Sequence, residues 1–344
     1  MIELMPDLSQ PSGWLPLAFM ALMGLSILAY VVLDGFDLGV GVVLPLATDD
    51  EKDLMVASIG PFWDANETWL VLGVGILLVA FPFAHGAIMS ALYFPVVLML
   101  VGLTLRGVAF DFRVKAHDKH KDAWNRAFFI GSLLASVAQG YMVGMLVMGF
   151  ERTFATVLFS GFIGICVAGS YALLGAAWLI MKTSDDLQRK AVGWARSALG
   201  FLVIGLIAVS AATPLLSQRI HAKWFALENM MVLWPMPVIA AVLFFVVGRS
   251  LARLPVRLSK QNEYGIWVPF AGAVGLMMIC FHGLAYSLFP YLVVDKMTLW
   301  QAAAAPESLM IIFVGAAVVL PMIVAYSVFV YRVFGGKATP LEYY

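Results

Sequence analysis

An apolar segment of the chain opens with polar side chains where a membrane-spanning helix should carry none. The stretch IGPFWDANETWL, residues 59–70, contains the carboxylates Asp64 and Glu67 and the amide Asn66. On insertion scales an Asp near the centre of a spanning helix costs about 2.5 to 3.5 kcal/mol, so such groups persist where water or a partner charge meets them. Asp64 and Glu67 are therefore candidate functional residues.

Nearly every other charge inside an apolar segment lies in the first three segments. The first segment ends in LDGFDLG with Asp34 and Asp37, and the third contains Arg106. Burial raises the pKa of a carboxyl group and a neighbouring arginine lowers it, and this balance lets a buried carboxylate exchange protons. The pattern predicts a proton path through Asp64, with Arg106 holding its charge state and Asp34, Asp37 and Glu67 extending the route. The supporting residues of this prediction are Trp63, Asn66, Asp111 and Arg113.

A purely structural interpretation stays open for the same residues. Asp64-Ala65-Asn66-Glu67 has the spacing of a capping box, in which the first and fourth side chains satisfy free amides at a helix start. An arginine near the C-terminus of a helix also interacts favourably with the helix dipole. Under this interpretation the charges form only caps and ion pairs.

The composition places the chain among polytopic membrane proteins. Of the 344 residues 62% are apolar and 12% are charged, and the mean hydropathy is +0.93. Lys plus Arg equals Asp plus Glu at 21 each, so no net charge points to nucleic acid. Cys166 and Cys280 lie in apolar runs and are expected to be buried thiols rather than metal ligands. No phosphate-binding loop, dinucleotide fingerprint or zinc motif occurs.

Nine apolar segments are long enough to cross a bilayer, and we expect an all-α protein. They cover about 14–36, 62–81, 85–110, 126–149, 155–181, 192–216, 226–248, 264–290 and 307–333. Lys and Arg concentrate in the connections that are cytoplasmic if the N-terminus is outside, which predicts an N-out, C-in topology. Helices 2 and 3 are expected to turn at Pro82 to His85. Counting inward at 1.5 Å per residue then places Asp64 and Arg106 at about the same depth.

We expect a single integral membrane domain over 1–344, with helices 1–4 in 1–150, helices 5–8 in 151–300, and helix 9 with a tail in 301–344. The pairs Gly35/Gly39 and Gly140/Gly144 have the small-xxx-small spacing that lets helices approach closely. Ordinary packing within the chain is the favoured interpretation of both pairs, and a partner-specific interface is the alternative.

Three motifs carry a resemblance to a known family. They are DGFDLGVG from Asp34, PFWDANETW from Pro61 and RGVAFDFR from Arg106. Together, in this order and at this spacing, they resemble subunit II of cytochrome bd-type quinol oxidases, over essentially the whole chain. The resemblance implies two four-helix bundles plus a peripheral helix, paired with a subunit I that holds haem b, haem d and the quinol site. It also implies that Asp64 and Arg106, the motif carboxylate and arginine, belong to a proton channel. Gly107 stands where the family often has proline, which hints at the cyanide-insensitive branch.

The sequence thus predicts the non-haem subunit of a bacterial inner-membrane quinol oxidase that reduces O2 to water with protons taken from the cytoplasm. Expected partners are subunit I, membrane lipid and the quinone pool, with a structural quinone and a small single-helix subunit as further candidates. One rival is a proton-coupled secondary transporter. A second rival is a b-type cytochrome that holds its own haem through His282, the one histidine placed within a predicted span.

Overall fold

The protein is predominantly helical, as the composition predicts. A computed structural model describes residues 6–116 and 118–339. Within these residues nine helical segments are long and apolar enough to cross a membrane, which confirms the expected all-α polytopic fold. They cover 11–46, 63–80, 93–113, 120–147, 154–182, 185–216, 227–258, 268–288 and 306–333. The membrane orientation and the arrangement in two four-helix bundles plus a peripheral helix remain predictions.

The described residues form fourteen α-helices and one small sheet. The helices are α1 (Pro11–Val43), α2 (Asp49–Ile59), α3 (Trp63–Ala80), α4 (Pro82–Ala91), α5 (Tyr93–Lys115), α6 (Asp118–Val147), α7 (Phe154–Lys182), α8 (Asp185–Leu216), α9 (Gln218–Trp224), α10 (Leu227–Leu233), α11 (Pro235–Leu258), α12 (Val268–Leu288), α13 (Leu299–Ala302) and α14 (Pro306–Val333). A 3-10 turn, Leu44–Leu46, follows α1. Strands β1 (Tyr291–Val293) and β2 (Met297–Thr298) pair antiparallel.

Two short helices depart from the segments expected from the sequence. The turn expected at Pro82 to His85 lies within the ten-residue helix α4, so a depth count from a single turn does not apply. The connection after helix 1 contains α2, which Thr48 and Glu51 start with a capping box. The backbone N–H of Thr48 donates a 2.8 Å hydrogen bond to Glu51. Because α2 is short and polar at its start, it falls below the hydropathy of a spanning segment.

The chain divides into two compact units, and the first contains the PFWDANETW motif. This unit comprises residues 1–34, 61–92 and 288–335. In it α14 packs on α1 through the edge-to-face pair Trp14–Phe313, whose ring centroids are 5.3 Å apart. The indole of Trp300 donates a 2.9 Å hydrogen bond to the carbonyl oxygen of Gly13. These contacts fix the helices that flank the start of α3.

The second unit contains residues 35–60, 93–287 and 336–344. In it α6 packs against α5 and α7, α8 packs against α7, and α11 packs against α8. The indole of Trp178 on α7 stacks on Phe36 at 4.1 Å and donates a hydrogen bond to the carbonyl oxygen of Ser58 on α2. Lys337, in the C-terminal segment, forms a 2.8 Å ion pair with Glu263.

Glycines make the closest helix crossings of the second unit. A Cβ at Gly39 would overlap the carbonyl oxygen of Tyr171 on α7, and a Cβ at Gly175 would overlap the backbone of Gly39. A Cβ at Gly140 of α6 would come within 2.7 Å of Gly164 of α7. The two small-xxx-small pairs therefore serve packing within the chain, as favoured from the sequence.

Candidate functional site

The first turn of α3 carries Asp64, and the side chain of Asp64 is exposed on this chain. The N-cap of α3 is Phe62, which makes no side-chain capping bond, so the interpretation of Asp64 and Glu67 as a capping box is wrong. Asp64 lies inside the first helical turn instead, where the helix dipole favours a negative charge. Glu67 is half-buried and Trp63 is half-buried.

Asn66 is the best-anchored polar residue of this turn. Its side chain is 1% exposed. Its amide nitrogen donates a 3.2 Å hydrogen bond to the carbonyl oxygen of Leu33 on α1. Its side-chain oxygen accepts a 2.9 Å hydrogen bond from the hydroxyl of Tyr331 on α14. Asn66 therefore ties the start of α3 to two helices of the same unit.

The ring of Tyr331 also contacts the motif. It stacks on Phe62, immediately before α3, with ring centroids 4.6 Å apart. Tyr331 is 265 residues from Asn66, and sequence reasoning did not identify it. A tyrosine near the end of an apolar helix is common in membrane proteins, so the sequence held no signal for this role.

The two carboxylates of the first motif are fully buried. Asp34 and Asp37 are both 0% exposed on α1. Residues three apart lie on neighbouring positions of one helix face. Two carboxyl groups thus lie within one helical turn in the interior, which is a costly arrangement unless other groups or protonation compensate the charge.

Arg106 is also buried, at 1% exposure on α5. The backbone at Arg106 lies against Gly131 of α6, where a Cβ would come within 2.7 Å of the Arg106 nitrogen. This close contact places the guanidinium-bearing turn of α5 beside α6. The predicted partnership of Arg106 with Asp64 remains a prediction.

Arg113 organises a polar cluster that the sequence did not reveal. Its side chain is 3% exposed, and its Nε donates a 2.6 Å hydrogen bond to Asn125. Its Nη2 donates a 2.6 Å hydrogen bond to Asp53 of α2, which also pairs with Lys121 at 2.7 Å. Asp111, predicted to act beside Arg113, is exposed. The cluster joins α2 to the ends of α5 and α6.

The charges around Asp53 set its protonation. Burial acts to raise the pKa of the Asp53 carboxyl group, but the hydrogen bonds from Lys121 and Arg113 outweigh it and hold the pKa below its usual value. Asp53 is therefore ionised at neutral pH. An ionised, doubly paired carboxylate is suited to holding helices together rather than to carrying protons.

His282 does not suit a haem enclosed by the unit that contains it. His282 is exposed on α12, and its Nδ1 lies 2.7 Å from the carbonyl oxygen of Met278. It faces away from the interior of its unit, where a haem would be enclosed. Among the described residues no group of three His, Cys, Asp or Glu side chains could hold a metal ion.

Comparison with known proteins identifies the family. The model of the family described as "Cytochrome bd terminal oxidase subunit II" matches residues 15–334. The chain belongs to this family. It is thus a subunit of a cytochrome bd-type terminal oxidase, an oxidoreductase complex, and a multi-pass protein of the bacterial inner membrane. As a subunit II it implies a subunit I in the complex, and the family context fits haem on that partner.

Curated relatives span nearly the whole chain. The "Cytochrome bd ubiquinol oxidase subunit 2" of Bacillus subtilis is 27% identical over 93% of this chain and 96% of the relative. The "Cytochrome bd-I ubiquinol oxidase subunit 2" of Escherichia coli is 26% identical over 92% of this chain and 93% of the relative. A chain of the bd oxidase structure from Geobacillus thermodenitrificans superposes with a TM-score of 0.74 at 16% identity, covering 93% of this chain and 98% of that chain. At this identity the superposition shows the shared fold.

Proposed function

We propose that this subunit supplies a cytoplasmic proton-uptake path to a complex that oxidises ubiquinol and reduces O2 to water. Family membership over residues 15–334 is the observation that carries the oxidase role. The names of the relatives from Bacillus subtilis and Escherichia coli support ubiquinol as the electron donor. Haem b and haem d on the partner subunit supply the redox chemistry, and this chain binds that partner and handles protons.

The orientation that this proposal requires is N-out and C-in. Arg113, Lys121 and Arg126 lie together at one end of α5 and α6, and a concentration of cations marks the cytoplasmic side of a membrane protein. Asp64, in the first turn of α3, then lies on the cytoplasmic side. Because Asp64 is exposed on this chain, water or the partner subunit can reach its carboxylate.

Asp64 accepts a proton on a carboxylate oxygen and passes it inward. Asp34 and Asp37 extend the route, and their complete burial supports this role, because an interior carboxyl group is retained at a cost. Glu67, one turn after Asp64, is the step between the exposed Asp64 and the buried carboxylates of α1 in this proposal. In this proposal Arg106 holds the charge state of Asp64, because a nearby arginine favours the ionised form of a carboxylate and so promotes release of the proton after each transfer.

The neighbouring residues give the path its rigidity. Asn66 is held by Leu33 and Tyr331, so the turn that carries Asp64 and Glu67 is fixed on its buried side. Trp63 is the first residue of α3, and Asp111 and Arg113 lie in the last turns of α5, which this orientation puts on the cytoplasmic side. A structural quinone and a small single-helix subunit remain expectations of the family resemblance.

The test is quinol-driven O2 consumption by the purified complex containing Asp64→Asn. We expect a loss of turnover with haem absorbance unchanged, because Asn cannot carry a proton but keeps the shape of Asp. Asp50→Asn is the matched control, since Asp50 is exposed at the start of α2 and makes no hydrogen bond or ion pair with any described residue. Full turnover with Asp64→Asn would contradict the proposal.

A further inference from the structure

Helix α11 presents a continuous apolar stripe on the surface of the chain. Val238, Val242 and Phe245 are 42%, 54% and 68% exposed. Their spacing of four and three residues places them on one face of a helix. An open groove of about 460 Å³ runs along this face. It is lined by Trp234, Pro237, Val238, Ala241, Val242 and Phe245.

Two arginines continue the stripe toward the end of α11. Arg249 follows Phe245 by four residues and Arg253 follows by four more, so both lie on the same face. Both are exposed. Across residues 6–116 and 118–339 neither makes a hydrogen bond or an ion pair, and α11 itself contains no carboxylate. By contrast, Arg257 donates to the carbonyl oxygen of Tyr264.

The stripe and the two arginines together span about the thickness of a bilayer. Trp234 and Arg253 are separated by about 28 Å along the axis, close to the roughly 30 Å of the hydrocarbon core. Tryptophan favours the membrane interface, so Trp234 fits one interface and Arg253 the other. Arg249 lies about 6 Å nearer the centre, and a long arginine side chain can extend to the headgroups.

We propose that this face of α11 binds one acidic phospholipid. Two guanidinium groups one turn apart can share a phosphate, and arginine recognises phosphate with paired hydrogen bonds. An acyl chain that fills half the core, about 15 Å, reaches from the level of Arg253 to Val242 and the adjoining end of the groove. A free phosphate would contact the arginines but would leave the apolar stripe uncovered.

The arginine test counts lipids on the purified complex. Detergent-washed complexes are incubated with phosphatidylglycerol or phosphatidylcholine, and the retained lipids are counted by native mass spectrometry. In Arg249→Gln/Arg253→Gln we expect the phosphatidylglycerol count to fall by about one per complex, because the charge-assisted hydrogen bonds are lost. The phosphatidylcholine count is expected to stay unchanged.

Arg189→Gln is the matched control, because Arg189 is a surface arginine already paired with Asp186 at 3.5 Å. It is expected to retain the wild-type phosphatidylglycerol count. Equal phosphatidylglycerol retention in the double variant would overturn the proposal. So would the same loss in Arg189→Gln, or the loss of a protein subunit instead of a lipid from the double variant.

A separate variant tests whether the acyl chain lies in the groove. Val242→Trp fills the groove beside Ala241 and leaves both arginines in place. Because Val242 is on the surface, the larger side chain is not expected to disturb the interior of the unit. We expect weaker phosphatidylglycerol retention than in the wild type. Unchanged retention in this variant would overturn the placement of the acyl chain on the stripe.

Discussion

Tyr331 donates its hydroxyl hydrogen to the side-chain oxygen of Asn66 across 2.9 Å, which joins the last long helix to the first turn of α3. Asn66 lies two residues after Asp64, and its amide nitrogen donates a hydrogen bond to the carbonyl oxygen of Leu33 on α1. Because the buried amide of Asn66 bonds to both α1 and α14, it fixes the axial position and the rotation of the first turn of α3. The position of Asp64 therefore depends on a residue far away in the sequence.

Removing this hydroxyl should loosen the start of α3. Tyr331→Phe keeps the ring stacked on Phe62 but deprives the buried Asn66 oxygen of this donor, which costs about 1–3 kcal/mol of unfolding free energy. Thermal unfolding of the purified complex measures the loss. Tyr326→Phe is the control, because Tyr326 is exposed on the same helix. Equal stability of the two variants would show that the hydrogen bond contributes nothing.

The crossing of α1 and α7 should not tolerate a methyl group. In Gly39→Ala the new Cβ would overlap the carbonyl oxygen of Tyr171, so the helices must separate. We expect a loss of about 3 kcal/mol or more, the upper range for overpacking. Gly200→Ala, with no atom within 4 Å of the added Cβ, should be neutral or stabilising by about 0.5–1 kcal/mol. Wild-type thermal stability of Gly39→Ala would refute the close crossing.

The ion pairs of Asp53 should stabilise α2 down to acidic pH. Because the pKa of Asp53 is lower in the folded state, its contribution is complete above the unfolded pKa of about 4 and is lost as the pH falls through the folded pKa. Thermal unfolding between neutral and acidic pH should show this loss in the wild type and not in Asp53→Asn. Asp49→Asn removes the ion pair that the 86% exposed Asp49 makes with Lys52. Because a pair with so exposed a carboxylate contributes little to stability, this variant should keep most of the wild-type acid loss. If all three proteins lost the same thermal stability at acidic pH, the stabilising role of the Asp53 ion pairs would be contradicted.

Lys223 should give a pH dependence of the same sign as Asp53, but in the alkaline range. Burial, followed by the neighbouring charge of Arg219, lowers the pKa of Lys223 to about 8, and its ammonium group donates to the carbonyl oxygen of Tyr286 at 2.6 Å. Between pH 8 and about 10.4 the unfolded chain binds more protons at this residue, so its contribution to stability rises with pH. Melting temperatures across this range should rise less in Lys223→Met than in the wild type. The exposed Lys260→Met serves as control, and parallel slopes in all three proteins would rule out a lowered pKa.

The sequence predicted the spanning helices because hydropathy over about twenty residues is a local property. The nine segments agree with the structure within a few residues at most ends. The connection with α2 was missed because its apolar residues, Met55 to Ile59, are too few to register as a span. Likewise Leu92 and Trp234 interrupt segments that looked continuous, since a break between two apolar helices leaves the mean hydropathy high.

The candidate site was only partly accessible to sequence reasoning. Buried carboxylates such as Asp34 are conspicuous because their residue type contradicts their surroundings. Tyr331 and Asp53 are ordinary residues in their own segments, and their roles arise from partners 265 and 60 residues away. The capping box that was the alternative interpretation of Asp64 and Glu67 was wrong because the helix begins one residue before Asp64, after Phe62. The residue at which α3 begins is decided by tertiary packing, which the local sequence pattern does not contain.

Proton uptake during a single turnover tests the central claim most directly. The reduced complex in vesicles is mixed with O2, and a pH indicator on the cytoplasmic side reports the protons consumed. With Asp64→Asn we predict uptake slower by about a hundredfold, the low end of what a positioned proton carrier contributes, at unchanged haem content. Uptake from that side at the wild-type rate would contradict a proton path through this chain.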